Sequence, residues 1–369
     1  MSTVISTLDP ILQRYVADEV SLQKRCNQCT GSNDKCDYCT VLRHKPVRAQ
    51  LEQAGIYLKR YAEDDQEDDS GFKNSFLTGS LARQTSIRPP KDVDFFVVLD
   101  EQRFGASRPS AVSLLEAIKA TLLNLKGKNI FGSKIVDVDY RRRAVRVKFE
   151  DDFCVDVIPA FESEKKLNGE MLYDIPDGDL QCYLLSNPKI HLAKLRSAVS
   201  EEDLPKLRDI IKLIRRWRRD AFNDRDEKPK SFHLEMVAIQ IFEGQKIGSY
   251  IQALDRYFNS LPDYIVQPRM PDPASPQEKR TELWIDGYLR DLLPADRDNI
   301  QTKVLEAGKA LREALTLELS DQPVRAIERL RTVFKKLSEQ EPEKRAREMR
   351  TTSTRPVHAN VIRTQPWHC

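Results

Sequence analysis

Asp92-Val93-Asp94 opens the segment DVDFFVVL, and the apolar residues that follow predict a buried strand. On a strand, residues i and i+2 face the same side, so the two carboxylates stand next to each other. Their mutual repulsion is relieved when a divalent cation neutralises both, and oxygen donors of this hardness select Mg2+ or Mn2+. Upstream, Gly79-Ser80 falls between a short strand at 74–78 and a brief helix at 81–85. Glycine lets backbone approach a phosphate closely, the N–H groups at a helix start favour an anion, and the Ser80 hydroxyl adds a hydrogen bond. A third acid, Asp156, lies between Val155 and Val157 in a second strand pattern. A phosphate cradle beside a metal site is what binds a nucleoside triphosphate with Mg2+. Each part alone is commonplace. Asp137-Val138-Asp139 repeats the acid spacing without a Gly-Ser turn upstream and reads as a solvated strand face.

The elements that must position these groups are legible around them. A helix over 110–125 places Val112, Leu115, Ile118, Leu122 and Leu125 on an apolar face, and strands follow at 144–149 and 153–159 with Asp151-Asp152 at the turn. An earlier helix over 46–61 places Val47, Leu51, Ala54, Leu58 and Tyr61 on one side, and it ends in the acidic run 63–69, which reads as a solvated loop. Residues 1–25 predict a helix with Asp9-Pro10 as its start signal. From about 187 the pattern becomes helical. Leu207, Ile210, Ile211, Ile214 and Trp217 form one face of a helix whose other face carries Arg208, Lys212, Arg215 and Arg219. The almost wholly apolar helix 232–242 reads as central, and two further helices are expected at about 298–317 and 322–340.

Cys26, Cys29, Cys36 and Cys39 form two Cys-x-x-Cys pairs around a turn-like Gly-Ser-Asn-Asp. Two such knuckles can hold a structural Zn2+, although the gap between pairs is shorter than the ribbon spacing of about 15–20 residues. A redox-sensitive loop, or thiols without a ligand, is the other reading. Cys154 and Cys182 read as inert core thiols. In 369 residues there are seven cysteines, an odd number unlike a secreted disulfide scaffold. Lys and Arg nearly balance Asp and Glu, for a net charge of +3, which excludes coating of nucleic acid by bulk charge. No apolar run approaches the ~20 residues of a membrane-spanning helix. The N-terminal residues lack the basic and apolar tracts of a signal peptide, so a cytoplasmic location is expected.

The blocks TGSLARQT (78–85), DVDFFVVL (92–99), VDVIPAF (155–161), KLIRRWRRD (212–220) and SFHLEMVA (231–238) resemble those of the polymerase-β-like nucleotidyltransferases. Among these the chain looks most like the bacterial cGAS/DncV-like cyclic-oligonucleotide synthases, the CD-NTases, over roughly 45–320. The resemblance implies an α+β fold: a mixed sheet with flanking helices, plus a C-terminal helical-bundle lobe. The expected division is an N-terminal helix and cysteine knuckle (1–45), the nucleotidyltransferase core (46–186), a helical lobe completing the nucleotide pocket (187–340) and a basic tail (341–369).

It also implies roles. Asp92 and Asp94 would hold two Mg2+ (or Mn2+) ions, and Asp156 would hold the catalytic one near the attacking ribose hydroxyl. Gly79, Ser80 and Arg83 would bind the triphosphate. Arg215 lies two residues before Trp217, where the family often has a phosphate-contacting Lys. Ser231 would touch the triphosphate. Phe232 would either stack on a base or belong to the core, and His233 reads as structural. The implied reaction joins nucleoside triphosphates, ATP among them, into a cyclic di- or trinucleotide and releases pyrophosphate. The implied setting is CBASS antiphage defence, with a downstream effector that senses the product and a possible regulatory protein partner. Transfer of nucleotides to RNA or another acceptor is the alternative.

Overall fold

Burial on both faces of DVDFFVVL makes this segment a central strand, and the sheet is assembled around it. The computed structural model describes residues 8–22, 36–54, 56, 58, 59, 67, 68, 71, 72, 74–104, 107–224, 226–275 and 279–337. In chain order it begins with α1 (Leu8–Tyr15), continued by a π-helical turn, Val16–Val20, then α2 (Asp37–Val41) and α3 (His44–Gln53). A small hairpin, β1 (Glu67–Asp68) and β2 (Gly71–Phe72), precedes β3 (Ser75–Leu77), α4 (Gly79–Ala82) and β4 (Asp92–Leu99). Next come α5 (Ala111–Leu123), β5 (Asn129–Ile130), β6 (Ser133–Tyr140), β7 (Val145–Phe149), β8 (Cys154–Leu167), β9 (Glu170–Asp177) and β10 (Cys182–Ser186). The remainder is helical: α6 (Pro188–Ser197), α7 (Leu204–Ala221), α8 (Ser231–Phe242), α9 (Tyr250–Ser260), α10 (Pro294–Leu319) and α11 (Pro323–Val333).

The chain divides into two compact units. Of the described residues, one unit takes 22–192, and the other takes 8–21 with 193–337.

In the sheet unit, β8 is the long central strand. β4 runs parallel to it from Asp92 opposite Cys154 to Leu99 opposite Phe161. β7 pairs antiparallel with its first residues and β9 with its later ones. β3 extends the sheet antiparallel to β4, while β10 lies beyond β9, and β6 and β5 beyond β7. Side-chain alternation gives the sheet two different faces. One buries Val93, Phe95, Val97, Val155 and Val157 with Leu114, Leu115, Ile118 and Leu122 of α5 and Val47 and Leu51 of α3. The other gathers Phe76, Phe96, Val98, Ala160, Tyr173 and Ile175. Ser110 caps α5, its hydroxyl accepting from the Ser113 N–H at 3.1 Å.

In the helical unit, Leu207, Ile210, Ile211, Ile214 and Trp217 of α7 are buried as their spacing predicts, with Trp217 edge-on to Phe258 at 4.8 Å. α8 is buried from His233 to Ile239. α1 belongs here: Asp9 accepts from the Tyr250 N–H at 2.8 Å, and the Leu8 N–H donates to Glu318 at 2.9 Å. Among the described residues no helix is long and apolar enough to cross a membrane.

Several boundaries differ from expectation. The helix expected at 46–61 is His44–Gln53, and of that expected at 1–25 the described residues are α-helical over Leu8–Tyr15. β9 and β10 are not foreseen from the sequence. Cys26, Cys29, most of the acidic run 63–69 and the tail 341–369 lie outside the described residues.

Candidate active site

Two parallel strands bring the acids together. Asp94 is the register partner of Asp156, and Asp92 stands two residues before Asp94. Val93 and Phe95, like Val155 and Val157, point into the α5-covered core. Asp92, Asp94 and Asp156 therefore share the opposite face, at the end where the apolar row of Phe96, Val98 and Ala160 stops. Asp92 is exposed, Asp94 half-buried and Asp156 buried.

The Gly-Ser turn is built against this pair. The Thr78 N–H donates to the Asp94 carbonyl at 2.8 Å, closing β3 onto β4. Gly79 follows with φ +63°, and a Cβ built there falls 1.8 Å from Asp94 Oδ2. Only glycine fits, for its backbone angle and for the carboxylate lying where a side chain would begin. The Ser80 and Ser86 hydroxyls lie 2.8 Å apart, and the Ser80 carbonyl accepts from the Thr85 N–H at 2.8 Å. Arg83, at the end of α4, is buried.

Two neighbours of the acids come from the structure alone. Arg146 on β7 is the register partner of Asp156. Its Nε donates to Asp156 Oδ1 at 2.7 Å and its Nη2 to Oδ2 at 2.6 Å, a bidentate ion pair. Hydrogen bonding to Asp156 holds the guanidinium still further above its ordinary pKa, with the charges of Asp156, Cys154 and Asp92 adding to it against the cost of burial. The alternation of AVRVKF carries a signal for this: Val145 and Val147 are buried, so Arg146 faces the acids. Cys154, opposite Asp92 and two residues before Asp156, lies on the acid face as well. It is buried, as an inert core thiol should be. Burial pushes its thiol upward, away from thiolate chemistry, with Arg146 pulling the other way.

The donor set of three carboxylates, with a cradle that excludes even a methyl group, fits a hard divalent cation. The expected three-way convergence is incomplete, however. Among the described residues no three His, Cys, Asp or Glu side chains form a ready metal-ligand group, and both oxygens of Asp156 are taken by Arg146.

The other expected nucleotide contacts lie in the helical unit. Arg215 places Nη1 3.4 Å from Oε2 of fully buried Glu235. Ser231 and Phe232 begin α8 and are half-buried, whereas the next seven residues are buried, so Phe232 is not a core residue like its neighbours. His233 is structural: its Nδ1 lies 3.0 Å from the Tyr288 hydroxyl, and burial pushes its pKa down to about 4. Of the cysteine set, the described half is at α2, where Cys36 Sγ accepts from the Cys39 N–H at 3.4 Å. No zinc set is formed among the described residues.

A mixed sheet whose parallel central pair carries three acids beside a Gly-Ser turn is the fold expected of a polymerase-β-like nucleotidyltransferase core. Residues 47–198 match the family described as the Second Messenger Oligonucleotide or Dinucleotide Synthetase domain. The chain has the fold of the bacterial cGAS/DncV-like nucleotidyltransferases and is, by that domain, an enzyme of the cyclic-oligonucleotide synthase class. It is similar to Bradyrhizobium diazoefficiens CD-NTase CdnG, solved in complex with GTP, at 16% identity and TM-score 0.56, over 89% of this chain and 98% of that one. It is similar to E. coli MS115-1 CdnC, solved in complex with HORMA-deltaN, at 17% identity and TM-score 0.54, over 88% of this chain and 96% of that one. Vibrio cholerae DncV, a cyclic AMP-GMP synthase, aligns at 16% identity and TM-score 0.52, over 70% of this chain and 68% of that one. No curated protein sequence matches the chain significantly.

Proposed function

We propose that the chain joins nucleoside triphosphates, ATP among them, into a cyclic di- or trinucleotide with release of pyrophosphate, as the messenger-producing step of CBASS antiphage defence. The observation that carries this reading is the register of Asp94 with Asp156, with Asp92 on the same strand face. These three acids would hold two Mg2+ or Mn2+ ions, which supply activation of the attacking hydroxyl and charge neutralisation at the leaving pyrophosphate. The chain's own groups do the positioning. The Gly79-Ser80 turn offers backbone and hydroxyl to the triphosphate, against the Asp94 carboxylate. Asp156 would help the attacking 2′- or 3′-hydroxyl lose its proton once its oxygens are released from Arg146. Arg83 is a further contact in the same block. Arg215, Ser231 and Phe232 are the proposed triphosphate and base contacts of the helical unit, Phe232 through its ring face alone.

In this reading the protein works in the cytoplasm. Its product acts on a downstream effector, and a regulatory protein partner is part of this proposal, supported by the similar CdnC being solved in complex with HORMA-deltaN. Cys26, Cys29, Cys36 and Cys39 are proposed as a structural zinc knuckle, and metal analysis finding no zinc in the purified protein overturns that part alone. Function is tested by incubating the protein with four labelled nucleoside triphosphates and Mg2+. A phosphatase-resistant product, resolved by mass spectrometry as a cyclic oligonucleotide without added acceptor, is expected. Product formed only on added RNA overturns the reading in favour of acceptor-dependent transfer.

A further inference from the structure

Asp156 cannot serve a metal ion and Arg146 equally. A carboxylate directs its better lone pairs forward, and the guanidinium fork occupies that side, with Nε on Oδ1 at 2.7 Å and Nη2 on Oδ2 at 2.6 Å. It also places a permanent positive charge where a dication would approach. Arg146 is registered on Asp156 and grips it directly, while its charge also reaches Asp92, so the competition centres on Asp156. The Asp156 side chain is only 13% exposed, so water does little to compete for it, whereas Arg146 is 34% exposed and can be rehydrated when it lets go.

We propose that Arg146 competes with the divalent cation for Asp156, so that the third carboxylate is latched by its neighbour strand until metal draws it away. Arg146 thereby sets the metal affinity of the site. It is a positioning residue that acts through Asp156 and touches no reacting atom. The ion pair also offsets the charge of Asp156 beside Asp92 and Asp94 in the metal-free protein. The inference rests on the proposed function only in taking Asp156 as a metal ligand.

The test is binding of Mn2+ alone to the full chain, followed by calorimetry and by electron paramagnetic resonance of the free ion, without nucleotide. Arg146→Gln should bind Mn2+ about tenfold more tightly than the wild type, and Arg146→Lys, which keeps charge but loses the fork, severalfold more tightly. In an Asp156→Asn background the Arg146→Gln gain should vanish. An unchanged or weaker affinity in folded Arg146→Gln overturns the proposal, because it makes Arg146 an orienting support for the ligand. A gain that persists in the Asp156→Asn background overturns it too, because the effect is then general charge. If Arg146→Gln does not fold, Arg146→Lys decides, with unchanged affinity as the overturning result. The two readings fail separately: the Mn2+ pattern without any oligonucleotide product sinks only the function, and product without the pattern sinks only the latch.

Discussion

Gly79 and Asp94 occupy one space. The Cβ that any other residue would add at position 79 lies 1.8 Å from Asp94 Oδ2 and 2.8 Å from its Cγ, and the backbone there has φ +63°. Gly79→Ala must therefore push the carboxylate off its seat or break the β3–β4 closure made by the Thr78 N–H. Synthesis should fall at least ~100-fold, and stability by about 1–3 kcal/mol from the strained left-handed backbone. Steady-state assays and urea melts of Gly79→Ala check both. Near-wild-type activity would contradict the placement of the turn against Asp94.

Asp92 and Asp94 carry like charges on one strand face, with Asp156 beside them. Asp92→Asn and Asp94→Asn should each abolish synthesis, a loss of roughly 1000-fold or more, since each removes one of the proposed metal ligands. Metal-free melting temperature should stay level or rise, because one repulsive charge is gone. Thermal melts in a chelator, run beside the activity assay, separate this from simple unfolding. A marked drop in melting temperature would make these acids structural.

The sequence carried the acid motif because strand grammar and chemistry coincide there: apolar FFVVL fixes the strand, and the strand fixes which side the acids share. The alternation of AVRVKF turns Arg146 away from the core, but that it meets Asp156 is a matter of β7–β8 register that no local pattern states. β9 and β10 escape notice for a different reason. β9 contains Pro176 and three acids, a composition poor in strand signals, and it is held in place by its neighbours on the sheet. The helix expected to reach Tyr61 stops at Gln53. Its apolar spacing continues past that point, but Ala54 and then Gly55, a poor helix former, come next in the sequence, and Leu58 bridges to Leu99 of β4 instead. Phe232 shows the limit of composition: its apolar neighbours leave base stacking and core equally open, and burial alone separates it, half-buried, from the buried residues 233–239.

Arg43 is wholly buried and forms a fork to Asp151, at 2.9 and 2.8 Å, with its guanidinium over Phe149 at 4.7 Å. The partner acid is 30% exposed. The two deletions should therefore be unequal. Asp151→Asn strands a buried cation and should cost about 3 kcal/mol, whereas Arg43→Met leaves an acid that water can reach and an apolar chain against two rings, costing about 1 kcal/mol. Burial pushes the Asp151 carboxyl up, but the Arg43 hydrogen bond and charge outweigh it, and the net shift is downward. Its contribution is thus present above the ordinary carboxylate value near 4 and lost as pH falls through the lower folded value. Urea melts between pH 3 and 7 should show a shallower acid limb for Asp151→Asn than for the wild type.

His44 and His233 supply a second, separable pH dependence. Both are buried, and burial pushes each pKa down to about 4, with backbone acceptance by the Val41 carbonyl partly opposing it at His44. An unfolded histidine takes its proton near pH 6.5. Between about pH 4 and 6.5 the unfolded chain consequently binds more protons than the folded one, and stability must fall as pH falls through that window. The contribution is complete above pH 6.5, declines by at most about 1.4 kcal/mol per pH unit for each ring, and levels off below pH 4. His233 Nε2 has no hydrogen-bond partner among the described residues, so His233→Phe discards a titrating group whose second nitrogen is unpaired. Unfolding free energies at pH 5 and pH 7 should differ less in His233→Phe, and less again in His44→Gln/His233→Phe, than in the wild type. An undiminished difference would mean that neither ring is kept neutral by the folded chain.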